Sequence, residues 1–169
     1  MFDRRSSVLW LALALIGALG LGCEESAPVD VAAGEFVIEI DGSVVDTLRG
    51  PAQYRMRDGR IAGLELGRPD GPGLSIELDP RPLSASTYAI VDGPLFEAGS
   101  AEAPAGAMAF LTTSDAEFTA TRGSLTVERV HEQTVAATFS FEMRGRMRRG
   151  GGDAGVRVEG RLRAPPTRN

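Results

Sequence analysis

The chain contains no lysine, and all 18 of its basic residues are arginine. It has one cysteine, one histidine and one tryptophan, and only 6% of its 169 residues are aromatic. Each shortage closes a route. A lone cysteine, Cys23, has no partner for an intramolecular disulfide, so a folded domain must depend on its apolar core. With only His131, a transition-metal site built from three or four His or Cys ligands is excluded. The same residue would be the sole base for nucleophilic catalysis. No G-x-S-x-G elbow accompanies it, and its charged neighbours read as a solvated hairpin turn. Arginine without lysine is the bias expected of a GC-rich bacterial genome. The formal net charge of -5 argues against nucleic acid as a partner.

Glycine (21) and proline (10) are abundant, as in chains with many turns between short elements. The first pattern is at the amino terminus. Arg4 and Arg5 precede fourteen residues, Val8 to Leu21, that are all apolar or glycine. That length falls short of the ~20 residues of a spanning helix and suits a signal h-region. Gly20 and Gly22 lie just before Cys23, and the composition then turns to Glu24-Glu25-Ser26. On these residues the first 23 positions resemble a bacterial lipoprotein signal peptide, with Gly20 and Leu21 in the reverse of the usual order. The resemblance implies cleavage before Cys23, acylation of Cys23 by palmitate-type fatty chains and anchorage in a membrane. Glu24, in place of the Asp linked to inner-membrane retention, implies an outer membrane, with the protein facing the periplasm or the cell surface. The competing reading is an ordinary thiol near a general cleavage site, which would leave a soluble secreted protein.

The expected organisation is a signal peptide over 1–22, a lipidated terminus and flexible linker over 23–34, and one domain over 35–169. The processed chain would have 147 residues and a net charge near -6. A domain of that size buries roughly two thirds of its unfolded surface.

Period-two alternation dominates the domain. Phe36, Ile38 and Ile40 share a face, and Asp41-Gly42 then offers a turn into a short strand over Val44 to Leu48. After Gly50-Pro51, Ala52, Tyr54 and Met56 share a face, and Asp58-Gly59 predicts a hairpin into Ile61 to Leu66. The glycine- and proline-rich run 67–73 is a loop, followed by Leu74, Ile76 and Leu78 on one face. Pro80 and Pro82 end that strand. Strands are expected over Ser86 to Val91 and Ala107 to Thr112, with the acidic stretch Leu95 to Gly106 between them as a surface loop that lets Phe96 tuck back. Ser114 and Glu117 have capping-box spacing, but the apolar run beyond is too short for a helix, so a turn or continued strand is expected. Leu125 and Val127 face inward before a turn at 131–133. Val135, Ala137, Phe139, Phe141, Met143 and Met147 then line one face. After the loop 148–155, Val156, Val158 and Leu162 line the last strand. Eight to ten short antiparallel strands predict an all-β fold, a β-sandwich or a flattened barrel.

The pieces GEFVIEIDG, PLSASTY, GSLTVERVHEQTVAATFSFEM and VRVEGRLRAP resemble uncharacterised secreted bacterial lipoproteins across most of Gly34 to Pro165. That resemblance implies a β-sandwich and supplies no catalytic residue.

No cofactor is indicated. Asp41, Asp58, Asp70 and Asp92 lie in glycine-containing turns, but no twelve-residue calcium loop is present and Asp-Gly is the ordinary hairpin turn. No motif singles out a carboxylate pair for a glycan hydrolase. Charge is uneven: residues 144–169 hold eight arginines and two acids, whereas 24–143 hold eight arginines and twenty acids. Strand parity puts Arg144 and Arg146 with Glu142, and Arg157, Arg161 and Arg163 with Glu159, on adjoining outer faces. Such a stripe suits phosphate or carboxylate groups of an anionic envelope partner, whether lipid A, phospholipid headgroups, or an acidic protein or glycan. The plainer reading, which takes precedence, is that the two glutamates pair across strands and the rest keeps the sheet soluble. The expectation is a lipid-anchored envelope protein with a non-enzymatic binding or structural module. The alternative is a glycan-directed hydrolase on the same scaffold.

Overall fold

Alternating apolar residues build nine strands in the computed structural model of the protein, which describes residues 31–91, 106–131 and 133–167. Cys23, the signal segment, Phe96 and Asp92 lie outside the described residues. The strands are β1 (Glu35–Gly42), β2 (Asp46–Arg57), β3 (Arg60–Gly67), β4 (Gly73–Leu78) and β5 (Ser86–Ile90), then β6 (Gly106–Thr112), β7 (Ala116–His131), β8 (Thr134–Met147) and β9 (Asp153–Ala164). They form one sheet in the order β1-β2-β3-β4-β6-β5-β7-β8-β9, and β9 pairs with β1, so the sheet closes as a barrel. All pairings between strands are antiparallel except β5 with β6. Closure removes the unpaired edges that an open sheet of this length would expose.

The predicted inner faces form the core. Phe36, Ile38 and Ile40 of β1, Leu64 and Leu66 of β3, Leu74 and Ile76 of β4, and Phe141 and Met143 of β8 are all buried. Each such side chain contributes about 1.5–3 kcal/mol relative to an exposed one. Phe139 and Phe141 stack with ring centroids 5.0 Å apart. Apolar inside and charged outside is the reverse of a barrel that spans a membrane. Among the described residues no helix is long and apolar enough to cross one either.

Gly50-Pro51 does not separate two strands as the sequence suggested. β2 runs through it and changes partner: Asp46 to Pro51 pair with β1, and Ala52 to Arg57 pair with β3. A proline's missing N–H is tolerated where one ladder hands over to the next. Gly50 leaves room for the Phe36 ring, which would be 3.3 Å from a Cβ there. Met56 also departs from the predicted inner face. A register shift between Arg55 and Met56 rotates it outward, and it is 50% exposed. Asp58 (φ 51°) and Gly59 (φ 75°) make the predicted two-residue turn.

β7 divides its pairing in the same way. Its start pairs with β6 and its middle with β5, with an irregularity between Ala120 and Arg122. Gly123 follows at φ 123°, where a Cβ would be 2.1 Å from the Ser140 carbonyl oxygen. The capping-box spacing yields a turn: the Thr113 hydroxyl accepts the Ala116 N–H at 3.0 Å, and β7 starts directly.

Tyr88 pins the connection from β4 to β5. Its buried hydroxyl accepts the Ser84 N–H at 2.9 Å and donates to the Ser84 carbonyl at 3.2 Å. Tyr88→Phe is expected to cost about 1–2 kcal/mol, since both backbone groups of Ser84 lose a partner. A lower urea midpoint at unchanged m-value would show it.

The register gives the barrel two distinct rims. At the N-terminal rim lie residues 31–34, the turn at 58–59, the connection 79–85, the β7–β8 hairpin and Pro165 to Thr167. The turns at 43–45, 68–72, 113–115 and 148–152 form the opposite rim.

Candidate functional site

Parity holds for the five arginines of β8 and β9. Arg144, Arg146, Arg157, Arg161 and Arg163 all share the outer face, but they fall into two groups. Toward the opposite rim, Arg157 stands between Glu142 of β8 and Asp41 of β1 in the cross-strand row, and its Nε donates to Glu159 at 2.8 Å. Arg146 stands between Glu117 and Asp153, and its Nε donates to the Gly151 carbonyl at 3.0 Å. Arg144 lies between Thr119 and Gly155. Acids thus interleave this part of the stripe, and each exposed pair contributes under about 1 kcal/mol.

Arg161 and Arg163 belong to a second group at the N-terminal rim. Arg129 of β7, Ala136 of β8 and Arg163 of β9 form one row, and Thr126, Thr138 and Arg161 form the next. Neighbouring strands are ~4.8 Å apart, so the small Ala136 makes a floor between Arg129 and Arg163, ~10 Å apart, and Thr138 continues it beside Arg161. The result is an open groove of about 1210 Å³ that also takes in Val31, Glu128, His131 and Gln133. Glu35 is the cross-strand neighbour of Arg163. His131, exposed at the end of β7, is a wall residue of this groove.

Around the β7–β8 hairpin the groove meets an apolar depression of about 290 Å³, which shares Gln133 and Thr134 with it. Met56, Ile61, Leu83 and Val130 line this depression, and Val130 is 43% exposed. Sequence reasoning missed it because its members come from three separate turns. The one available signal was Val130, an apolar residue left over beside the charged hairpin.

Among the described residues, carboxylates are not gathered for chemistry. Arg55 ties Glu65 at 3.6 Å and Glu77 at 3.4 Å into an exposed network on β2–β4. Asp41 lies in strand β1, and Asp58 and Asp70 lie in two separate turns, and among the described residues no group of three or more His, Cys, Asp or Glu could hold a metal.

Among the described residues, the one buried charge is Asp79. Arg81 clasps it with Nε to Oδ1 at 3.0 Å and Nη2 to Oδ2 at 2.6 Å, and the Arg81 N–H adds a third bond at 3.0 Å. The Arg81 side-chain hydrogen bonds hold the Asp79 carboxyl below its usual range, against the opposing effect of burial. The pair locks the turn after β4 and faces no groove among those described.

Comparison with known proteins finds no match: no family model fits the chain, and none of the curated proteins or solved structures is similar to it.

Proposed function

We propose that this is a lipid-anchored protein of a bacterial cell envelope, whose all-β domain serves as a non-enzymatic binding or structural module. The observation that carries the reading is Cys23, the sole cysteine, at the end of a fourteen-residue apolar run and followed at once by acidic residues. An exported chain with one odd thiol needs a reason for it, and acylation supplies one. Each buried methylene contributes about 0.8 kcal/mol, so two or three acyl chains hold a protein to a bilayer for its lifetime.

The barrel supports the module reading. Its interior is filled by side chains, and the described grooves lie on its outside. Function therefore belongs to the surface, and the surface richest in features is the N-terminal rim. A glycan hydrolase on this scaffold would need convergent carboxylates, and Glu65 and Glu77 are instead spent on Arg55.

Mass measurement of the amino-terminal peptide from the native host tests the anchor. Cys23 is expected as the first residue, carrying acyl chains, and Cys23→Ser is expected to move the protein from the membrane to the soluble fraction. A processed chain with an unmodified Cys23 that stays in buffer would remove the anchor.

A further inference from the structure

One wall of the barrel carries an aromatic ring that the core does not use. Among the described residues the exposed large hydrophobics are Val45, Met56, Phe110 and Val130. Three of them stand in or beside turns. Phe110 stands within β6, 37% exposed on the outer face, and is the one aromatic of the set.

Register sets what surrounds the ring. Gln53 of β2, Glu65 of β3, Ser75 of β4, Phe110 of β6 and Thr119 of β7 form one cross-strand row. Neighbouring strands are ~4.8 Å apart, so the row runs ~19 Å, longer than a single sugar ring. Ser75 and Thr119 flank the phenyl group across the strands, and Thr112 and the half-buried Met108 flank it along β6. In the next row toward the opposite rim, Gly67 and Gly73 stand beside Thr112. A Cβ at Gly67 would be 2.6 Å from the Pro72 carbonyl oxygen, and one at Gly73 closer still to that of Leu66, so both positions stay bare. The bare strip makes a groove of about 300 Å³ beside the ring, which Arg68 and Pro69 of the β3–β4 turn also line.

The polar groups of this groove are those of a neutral ligand site. The Ser75 hydroxyl donates to Glu65 Oε1 at 3.3 Å, and Arg55 Nε is 3.6 Å from the same oxygen, which leaves Glu65 Oε2 to accept another donor. Among the described residues neither the Gln53 amide nor the Thr112 hydroxyl has a side-chain partner. One acid, Glu65, and one arginine, Arg68, line the groove, so its charge is balanced.

That chemistry selects the ligand. A single exposed ring is too little apolar area for a stable protein contact, and balanced charge gives no hold on an anion. A β-linked pyranose chain fits both halves of the site, because its hydroxyls lie on the ring edges and its faces carry only C–H bonds. Those weakly positive C–H groups meet the negative face of an aromatic ring, while the edge hydroxyls exchange hydrogen bonds with amide, hydroxyl and carboxylate groups.

We infer that the Phe110 groove is a binding site for a neutral β-linked glycan, with one sugar ring stacked on Phe110 and the adjoining hydroxyls held by Gln53, Glu65 and Thr112. The inference rests on the module reading for a site that binds without reacting, and it is independent of the anchor.

The experiment uses the chain from position 23 onward carrying Cys23→Ser. The described strands lie between Glu35 and Ala164, so that chain keeps the barrel, and it lacks Trp10, the sole tryptophan. Phe110→Trp then places a single fluorescent reporter at the site. Cellohexaose and chitohexaose are the neutral probes, and hexagalacturonate is the anionic one. Titration calorimetry is expected to give saturable binding of at least one neutral probe, with a blue shift of the Phe110→Trp emission as the indole is covered. Phe110→Ala should weaken binding about tenfold and Gln53→Ala about fivefold. Val130→Ala, on the N-terminal rim, should leave it unchanged. Unchanged circular dichroism confirms that the variants fold, and the Phe110→Trp emission carries the test should Phe110→Ala not fold. Absence of binding by both neutral probes overturns the site. So does saturable binding that leaves the Phe110→Trp emission unmoved, equal loss with Val130→Ala, or tighter binding of hexagalacturonate. Probes recovered shortened after incubation would overturn the non-enzymatic module and leave a glycan site standing. An acylated Cys23 in a protein that binds neither neutral probe leaves the anchor standing and removes the glycan site.

Discussion

Gly160→Val is expected to destabilise the barrel by about 3 kcal/mol, the upper range for overfilling a packed core. Gly160 occupies an inward position on β9 between Phe139 of β8 and Ile38 of β1. A Cβ there would be 2.6 Å from the Phe139 ring and 2.6 Å from the Val37 carbonyl oxygen. The ring can turn aside only by disturbing its stack on Phe141, and the carbonyl is fixed in the β1–β9 ladder that closes the sheet. Urea unfolding measures the loss. Adding Phe139→Leu should return part of it, with a coupling of about 1–2 kcal/mol between the two sites. Strict additivity would mean that the glycine is required by the backbone contact alone.

Arg81→Met is expected to cost about 3 kcal/mol at neutral pH, because it leaves the Asp79 carboxylate buried without its charged partner. The side chain of Asp79 is fully inaccessible, whereas that of Arg81 is one-third exposed. Asp79→Asn should therefore cost less than Arg81→Met, since a stranded guanidinium can turn to water. The pH dependence separates the two states. In the native protein the Asp79 carboxyl titrates below its ordinary 3.8, so its contribution is complete above about pH 4 and is lost as pH falls through the lower folded value. Without Arg81, burial pushes the same carboxyl up. The deficit of the variant is then largest near neutrality and shrinks as acid neutralises Asp79. A deficit that stays constant from pH 7 to about pH 4 would show that the cost comes from lost packing of the arginine stem.

The all-β class and most strand positions were legible because a strand's alternation is local: Phe36, Ile38 and Ile40, or Val135 to Met143, disclose their inner face without reference to any other part of the chain. The departures occur where a second strand intervenes. Gly50-Pro51 looks like a break in isolation and becomes the middle of β2 because β1 ends its pairing there and β3 begins. Met56 carries the right residue type for the core and is turned out by a bulge that the sequence does not mark. The Asp79–Arg81 clasp was invisible for a related reason, since nothing in an Asp-Pro-Arg triplet marks whether its turn is buried.

The arginines of β8 and β9 divide in the same way. Parity alone put Arg144, Arg146, Arg157, Arg161 and Arg163 on one outer face, because side chains two residues apart must point the same way. Which of them meet acids depended on the neighbouring strands. β1 brings Asp41 beside Arg157 and Glu35 beside Arg163, β7 brings Glu117 beside Arg146, and Ala136 leaves a floor between Arg129 and Arg163. The sequence by itself determined most of the strands and their inner faces, the Asp58-Gly59 turn and the isolation of Cys23, which follow from local pattern and composition. Only the tertiary structure decided that the sheet closes, that the last arginines fall into two groups of which one lines a groove, and that Met56, Leu83 and Val130 converge on one rim, because each depends on register between strands far apart in the chain.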